Sequence, residues 1–368
     1  MANYKLQNMH TFKSLGYEKL TSLCRVLNFN GEQTISTLQV FSLMLKNWGD
    51  FTIDEQQIWT SDVTDDHTPF EFSLAFDGKQ PAIRFVIESQ TEKTSLDSSW
   101  VMGCKLNRDL QANYAISLDK FNKIEKLFEP RNSQALFSIW HAVDIKRFGK
   151  PVFKVYLNPE ARGIENAPTL IKEALLRLGF AKAWDFLSQI IMQHSQRNRL
   201  LYFSLDLSSD KGSRIKVYVA HMNATANDVE KILAVSPYHI QGDAIKFCQQ
   251  MAGQTGPFNA RPLITCFAFT SDNETQPYST TLHLPIRCYA ENDNIAMQRI
   301  SRFLPSGDAQ MYQQAVASIA GRPLEAGVGI QTYVSFKRLA EQQILTIYLA
   351  PEAYGSTLQK QLSKSIKS

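Results

Sequence analysis

Short stretches along this chain alternate apolar and polar residues. Each is broken by a polar turn and answered by a second such stretch. Between these pairs the apolar spacing changes from two to three and four. Alternation of period two marks a half-buried strand, and spacing of three and four marks an amphipathic helix. First strands are predicted over residues 70–76, 137–143, 202–207, 265–270 and 332–336. The answering strands are Ile83-Arg84-Phe85-Val86-Ile87, Phe153-Lys154-Val155-Tyr156-Leu157, Arg214-Ile215-Lys216-Val217-Tyr218, Leu282-His283-Leu284-Pro285-Ile286 and Thr346-Ile347-Tyr348-Leu349. The turns hold Asp77-Gly78-Lys79, Phe148-Gly149-Lys150, Asp210-Lys211-Gly212, Asp272-Asn273-Glu274 and Ala340-Glu341, residue types that close hairpins. Helices are predicted over 13–27 and 36–48, then 117–128, 169–193, 227–235, 243–251 and 293–304, with a last one over 356–366. Ser117, Asn227, Asp243 and Asp293 stand ahead of apolar runs as N-caps.

The polar or aromatic marker of each second strand (Arg84, Lys154, Lys216, His283, Tyr348) recurs every 62 to 70 residues. A long fixed period means one supersecondary unit used repeatedly. The predicted fold is therefore α+β: five αββα repeats forming a ten-stranded antiparallel β-barrel surrounded by helices. Closure removes exposed strand edges, and ten strands enclose a lumen wider than their own side chains fill. Hydrophobic residues make up 44% of the chain and no Pro- or Ser-rich linker divides it, so residues 1–368 are expected to form a single domain.

Successive strand residues face opposite ways. The aliphatic set suits the helix layer. The other set lines the lumen: Arg84, Lys154, Arg214 and Lys216, Tyr156, Tyr218, Tyr333 and Tyr348, and the carboxylate of Glu71. On a single strand such charges would read as a solvated face; five strands that all need their other face for helices favour a functional lumen. Clustered cations repel unless an anion compensates them, and Arg with Lys is a phosphate-binding set. Tyr rings attract a cation without attacking it as water does. Together they can ionise a diphosphate ester and shelter the carbocation.

In these residues the chain resembles the aromatic prenyltransferases of the dimethylallyltryptophan synthase type, the ABBA or PT-barrel superfamily. The likeness rests on Thr68-Pro69-Phe70-Glu71-Phe72-Ser73, Lys154-Val155-Tyr156, Arg214-Ile215-Lys216-Val217-Tyr218 and the Tyr333/Tyr348 pair, and covers nearly the whole chain. Its length is similar to the bacterial members. Its Lys, Gln and Asn content is similar to cyanobacterial enzymes of hapalindole and ambiguine pathways. The resemblance implies transfer of a dimethylallyl or geranyl group from its diphosphate to an indole-containing small molecule. It implies that Glu71 accepts the indole N–H, that Arg84, Lys154, Arg214 and Lys216 hold the diphosphate, and that the four tyrosines shield the allyl cation. The chain departs from the family pattern in three places. His283, with Thr281 two residues before it, stands where a Tyr is usual, and would thin the shield or reach the diphosphate. Arg338 lies one position from an expected Arg. A ring-proton acceptor is not evident, with His141 as the substitute.

No Asp-Asp-x-x-Asp motif occurs, so no metal site is predicted and no cofactor is required, with Mg²⁺ as an optional enhancer. Asp65-Asp66-His67 reads as a solvated loop. The seven His show no metal spacing, and five Cys without a pairing pattern fit a reducing cytoplasm. A net charge of +4 with no basic stripe argues against nucleic acid. The absence of a signal sequence and of a long apolar run argues against a membrane. Two rivals remain: a soluble prenyltransferase for phenols or naphthalenes, and a non-catalytic isoprenoid-binding barrel. Glu71 weighs against the first, and a charged lumen against the second. A repeat-built scaffold would instead carry its aromatics on an outer surface.

Overall fold

The computed structural model describes residues 10–53, 59–132, 134–193, 198–271 and 275–355. Its ten strands pair antiparallel with their neighbours in the chain, and the last pairs with the first, which closes the barrel. The five hairpins are β1 (Phe70–Phe76) with β2 (Ala82–Glu88), β3 (Ile139–Lys146) with β4 (Val152–Leu157), β5 (Asn198–Asp206) with β6 (Ile215–His221), β7 (Leu263–Phe269) with β8 (Ser279–Leu284), and β9 (Gln331–Leu339) with β10 (Gln342–Leu349). This is the predicted architecture. Because the strands alternate in direction, all five hairpin turns lie at one end of the barrel. The connections through helices lie at the other. That polarity places every functional side chain described below.

Ten helices, α1 (Phe12–Val26), α2 (Gly31–Met44), α3 (Leu96–Asn113), α4 (Asp119–Phe128), α5 (Ala167–Arg177), α6 (Ala181–Gln193), α7 (Ala226–Leu233), α8 (Asp243–Ala252), α9 (Asp293–Ser301) and α10 (Ser306–Ile319), cover the barrel among the described residues. The core lies between the two layers. Phe70, Phe72, Leu74, Val155, Leu157, Ile215, Val217, Ile347 and Leu349 point outward and are fully buried. Phe41 of α2 meets Phe70 and Phe85 edge-on, with ring centroids 5.5 and 5.2 Å away. Each such ring contributes about 1.5–3 kcal/mol by leaving water. Gly16 of α1 lets that packing close, since a Cβ there would lie 2.2 Å from the Phe41 ring.

Several local expectations are corrected. Helices α3 and α10 were not predicted; their buried faces include Ser99, Gly103 and Asn107, and Tyr312 and Ala315, which dilute the apolar stripe. The span 169–193 is two helices, broken where Gly179 takes φ +82°. Three of the predicted caps fall one or two residues late and the fourth, Ser117, one residue early. Thr225 and Asn292 cap α7 and α9 with their side chains, and Gly242 precedes α8. Leu118 stands at the start of α4, where Ser117 Oγ accepts the Asp119 N–H at 3.2 Å. The fourth hairpin's second strand ends at Leu284; Pro285, with no N–H to give the ladder, leads into a 3₁₀ turn, Ile286–Cys288. The predicted helix over 356–366 and the turn 272–274 lie outside the described residues.

Candidate active site

The barrel encloses a cavity lined by the inward residues of the strands. Toward the turn end it is cationic. Arg84, Lys154, Arg214 and Lys216 all line it, at the starts of second strands as expected. Lys337, from the end of β9, joins them. Two carboxylates from the ends of first strands partly balance these charges. Arg84 Nε donates to Asp144 at 2.5 Å, Lys154 Nζ lies 3.8 Å from the same carboxylate, and Arg214 Nε donates to Asp206 at 2.7 Å. Among the described residues, Lys216 and Lys337 make no ion pair. Burial and neighbouring cations lower the pKa of Lys154 well below the usual range, and lower that of Lys216. Lys337 falls to about 7 for the same reasons, with Lys216, Arg214 and Arg84 as the repelling charges. With the lysines protonated and Asp144 and Asp206 ionised, five cations face two carboxylates, an excess that a polyanion would neutralise.

Further along the inward faces, away from the turn end, comes an aromatic belt. Ring centroids run from Tyr156 to Tyr218 (5.9 Å), Tyr218 to His283 (5.8 Å), His283 to Tyr348 (5.8 Å) and Tyr348 to Tyr333 (6.4 Å). Tyr202 and Trp140 extend it, with centroids 5.4 Å apart. His283 thus fills a Tyr place in the belt and keeps it continuous. Tyr348 Oη lies 3.4 Å from His283 Nδ1. Burial and then Lys216 and Lys337 push the imidazole down to about 3, so it is neutral and presents a ring, not a charge.

Beyond the belt, toward the helix-connection end, stands Glu71. It is 7% exposed, and Thr332 Oγ1 donates to it at 2.5 Å. Burial pushes its carboxyl up to about 8, against the opposing pull of the Thr332 hydrogen bond and Arg287. Arg287 lies over the Tyr333 ring, its guanidinium carbon 4.6 Å from the centroid. It pairs with Asp65, and Arg261 Nη2 donates to the same Asp65 at 2.8 Å. The Asp65-Asp66-His67 loop is therefore not solvated as expected. Asp66 is also buried, accepting from the Thr64 hydroxyl at 2.6 Å and the Thr68 hydroxyl at 2.8 Å.

Two predicted site residues face the wrong way. His141 is fully buried in the helix layer, where its Nε2 lies 3.0 Å from Asn107 Oδ1 of α3; its neighbours Trp140 and Ala142 face the cavity instead. Burial pushes it down to about 3. It cannot take a proton from a ring in the lumen. Arg338 also faces outward, its Nε donating to Asp243 of α8 at 2.8 Å. The single-residue period of strand facing puts Lys337, not Arg338, in the cavity. His141→Ala is therefore expected to cost about 1–3 kcal/mol of stability by orphaning Asn107. Turnover per folded molecule should stay within about twofold, which denaturant midpoints and active-site-normalised kcat would check.

Sequence reasoning missed Lys337, Asp144, Asp206, Tyr202 and Trp140, although strand parity could have found all five. Asp62, Asp65, Arg261 and Arg287 come from irregular segments, where no parity rule applies.

Comparison with known proteins matches residues 17–317 to the family model described as tryptophan dimethylallyltransferase. The 6-dimethylallyltryptophan synthase of Micromonospora olivasterospora, solved in complex with DMASPP and Trp, is 28% identical, superposes with a TM-score of 0.86, and shares 94% of this chain and 99% of its own. The 5-dimethylallyl tryptophan synthase of Streptomyces coelicolor, solved with the same two ligands, is 29% identical over 94% of this chain and 96% of its own, with a TM-score of 0.85. A curated relative, the 4-O-dimethylallyl-L-tyrosine synthase of Claviceps purpurea (strain 20.1), is 23% identical over 86% of this chain and 82% of its own length.

Proposed function

The chain belongs to the tryptophan dimethylallyltransferase family and is a prenyltransferase; we propose that it joins the dimethylallyl group of dimethylallyl diphosphate to the indole ring of tryptophan. The observation that carries this reading is the polarity of the cavity. A cationic cluster lies on one side of an aromatic belt and a buried carboxylate on the other.

In this reading Arg84, Lys154, Arg214, Lys216 and Lys337 hold the diphosphate. As the C–O bond breaks, its electron pair leaves with the diphosphate oxygen, and the cations stabilise that growing charge. The allyl cation left behind sits among Tyr156, Tyr218, Tyr333, Tyr348 and His283, whose faces attract it and exclude water. Glu71 accepts the indole N–H and fixes the ring beside the cation; its negative charge favours the positive charge that develops on the ring. A ring carbon supplies two electrons to form the C–C bond. The ring proton then leaves, and the released diphosphate is the base at hand. Mg²⁺ would be an optional enhancer, since side chains already neutralise the diphosphate. Among the described residues no group of three or more His, Cys, Asp or Glu is placed to hold a metal ion, and no helix is long and apolar enough to cross a membrane.

Diphosphate binding should recharge the depressed lysines, Lys154 and Lys337 among them. At pH 8 we expect uptake of about one proton per dimethylallyl diphosphate bound. Titration calorimetry in two buffers of different ionisation enthalpy measures it directly. Zero uptake would remove the lysines from the diphosphate site. The function itself is tested by incubating the protein, with and without Mg²⁺, with dimethylallyl or geranyl diphosphate and a panel of acceptors. Tryptophan, indole isonitriles (the acceptor class suggested by the cyanobacterial resemblance) and phenols belong in the panel. A mass gain of one C5 unit on tryptophan supports the proposal; product only on phenols moves the chain to that substrate class.

A further inference from the structure

The turn end of the cavity is not uniformly cationic. From β2 to β6 the inward positions alternate in sign. Arg84 of β2 lies opposite Asp144 of β3, and Lys154 of β4 lies opposite Asp206 of β5. Arg214, just ahead of β6, closes on Asp206 with its backbone N–H at 3.1 Å, Nε at 2.7 Å and Nη2 at 3.3 Å. Arg84 gives Nε to Asp144 at 2.5 Å and Nη1 to the Thr346 hydroxyl at 3.2 Å. Against the cost of burial, Arg84 and Lys154 hold Asp144 below the usual carboxylate range, and Lys216 and Arg214 do the same for Asp206. Both are therefore ionised. Two further lysines near this row are engaged elsewhere: Lys146 with Asp77 and Lys120 with the Ser213 carbonyl, each at 3.1 Å. Neither Asp144 nor Asp206 is among the residues that line the cavity; both reach it through the cations they hold.

These carboxylates oppose diphosphate binding, and a cradle built only for affinity would omit them. The fold does not demand charge there either, since a buried ion pair is often replaced by apolar residues without loss of stability. What the carboxylates lower is the net charge of the cradle. That charge acts differently on substrate and product. A prenyl diphosphate is esterified at one end, so it has one ionisable oxygen fewer than the free diphosphate it becomes. Each added positive charge in the cradle favours the product over the substrate.

We propose that Asp144 and Asp206 are specificity-determining counter-ions of the cradle: they hold its charge low enough that it does not retain free diphosphate, and so set how fast that product leaves. This rests on the diphosphate reading of the cavity given above. Both residues act through Arg84, Lys154 and Arg214 and touch no reacting atom.

The test is a ratio of two affinities. Titration calorimetry on the full chain, in alkaline Mg²⁺-free buffer where the extra oxygen ionises, compares inorganic diphosphate with methyl diphosphate, whose small ester adds little contact of its own. Asp144→Asn keeps an oxygen for Arg84 and drops the charge. It is expected to shift the ratio of dissociation constants at least about fivefold toward inorganic diphosphate, the effect of one added charge interaction across a protein cavity. Asp206→Asn should shift it the same way. Asp144→Glu restores the charge and should return the ratio to within about twofold of wild type. In turnover with dimethylallyl diphosphate and tryptophan, Asp144→Asn should lower KM and kcat together and sharpen inhibition by added diphosphate. Carboxylates that served only the fold would weaken both ligands alike. An unmoved ratio in the Asn variants overturns the proposal and leaves the cradle standing. Wild type binding neither ligand overturns the diphosphate reading and the proposal with it. If one Asn variant fails to fold, the other decides. If both fail, wild type decides: inorganic diphosphate within about tenfold of methyl diphosphate supports the proposal, and a larger preference for inorganic diphosphate overturns it.

Discussion

Glu71→Gln should lower kcat for tryptophan by about two to three orders of magnitude, the usual cost of removing a group that stabilises charge developing in the transition state. The amide keeps the shape and can still accept from the Thr332 hydroxyl, so the fold should hold. What it loses is the negative charge beside a ring that becomes cationic as it attacks. The pH profile follows from the environment of Glu71. In the free protein burial raises its pKa to about 8, so below that pH the carboxyl is mostly protonated. Its ionised form is the one that accepts the N–H. kcat/KM for tryptophan, measured at saturating dimethylallyl diphosphate, should therefore rise through about pH 8 and level off above it. Saturating diphosphate matters because Lys337, lowered to about 7 in the empty cavity, would otherwise lose charge over the same range. In Glu71→Gln the rising limb should vanish. A variant with wild-type rate would remove the carboxylate from the reaction.

The second large effect is expected at Lys216. Among the described residues it makes no ion pair within 4 Å; Arg214 and Arg84 repel it and Asp206 attracts it. Lys216→Ala should weaken dimethylallyl diphosphate about 10- to 100-fold, in line with 1.5–3 kcal/mol for a charge-assisted hydrogen bond. kcat should fall as well, because charge on the departing oxygen grows in the transition state. Stability should move the other way. Removing this half-buried cation relieves its repulsion by Arg214 and Arg84 but also loses its attraction to Asp206, so the melting temperature is expected to stay about level or rise slightly. Lower affinity with a steady or higher melting temperature marks a residue placed for ligand and not for the fold. Unchanged diphosphate affinity would exclude Lys216 from the cradle.

The barrel was legible because the strand pattern is strict and recurs five times. β1 was predicted to the residue, since Phe70, Phe72, Leu74 and Phe76 alternate with smaller or polar partners and the flanks are Pro and Asp-Gly. Parity also placed the cavity's cations and tyrosines. It failed where attention went to residue type instead of register: His141 and Arg338 are attractive chemically, but each sits one position off the inward face. The same rule read on the first strands would have shown Asp144 and Asp206 facing Arg84 and Lys154. The mouth of the cavity was not legible. Asp62 and Asp65 precede β1 in a loop, Arg261 precedes β7, and Arg287 follows a proline that ends β8. Residues 196 and 222 positions apart in the chain meet there, and no local period records such meetings.

The most direct test of the polarity assigned to the lumen is a crystal structure of this chain with tryptophan and a non-ionising thiolodiphosphate analogue of the prenyl donor. The account predicts the diphosphate among Arg84, Lys154, Arg214, Lys216 and Lys337, the prenyl chain against the tyrosine belt, and the indole N–H within hydrogen-bond distance of Glu71. A diphosphate bound instead at Arg261 and Arg287, or an indole turned away from Glu71, would contradict it.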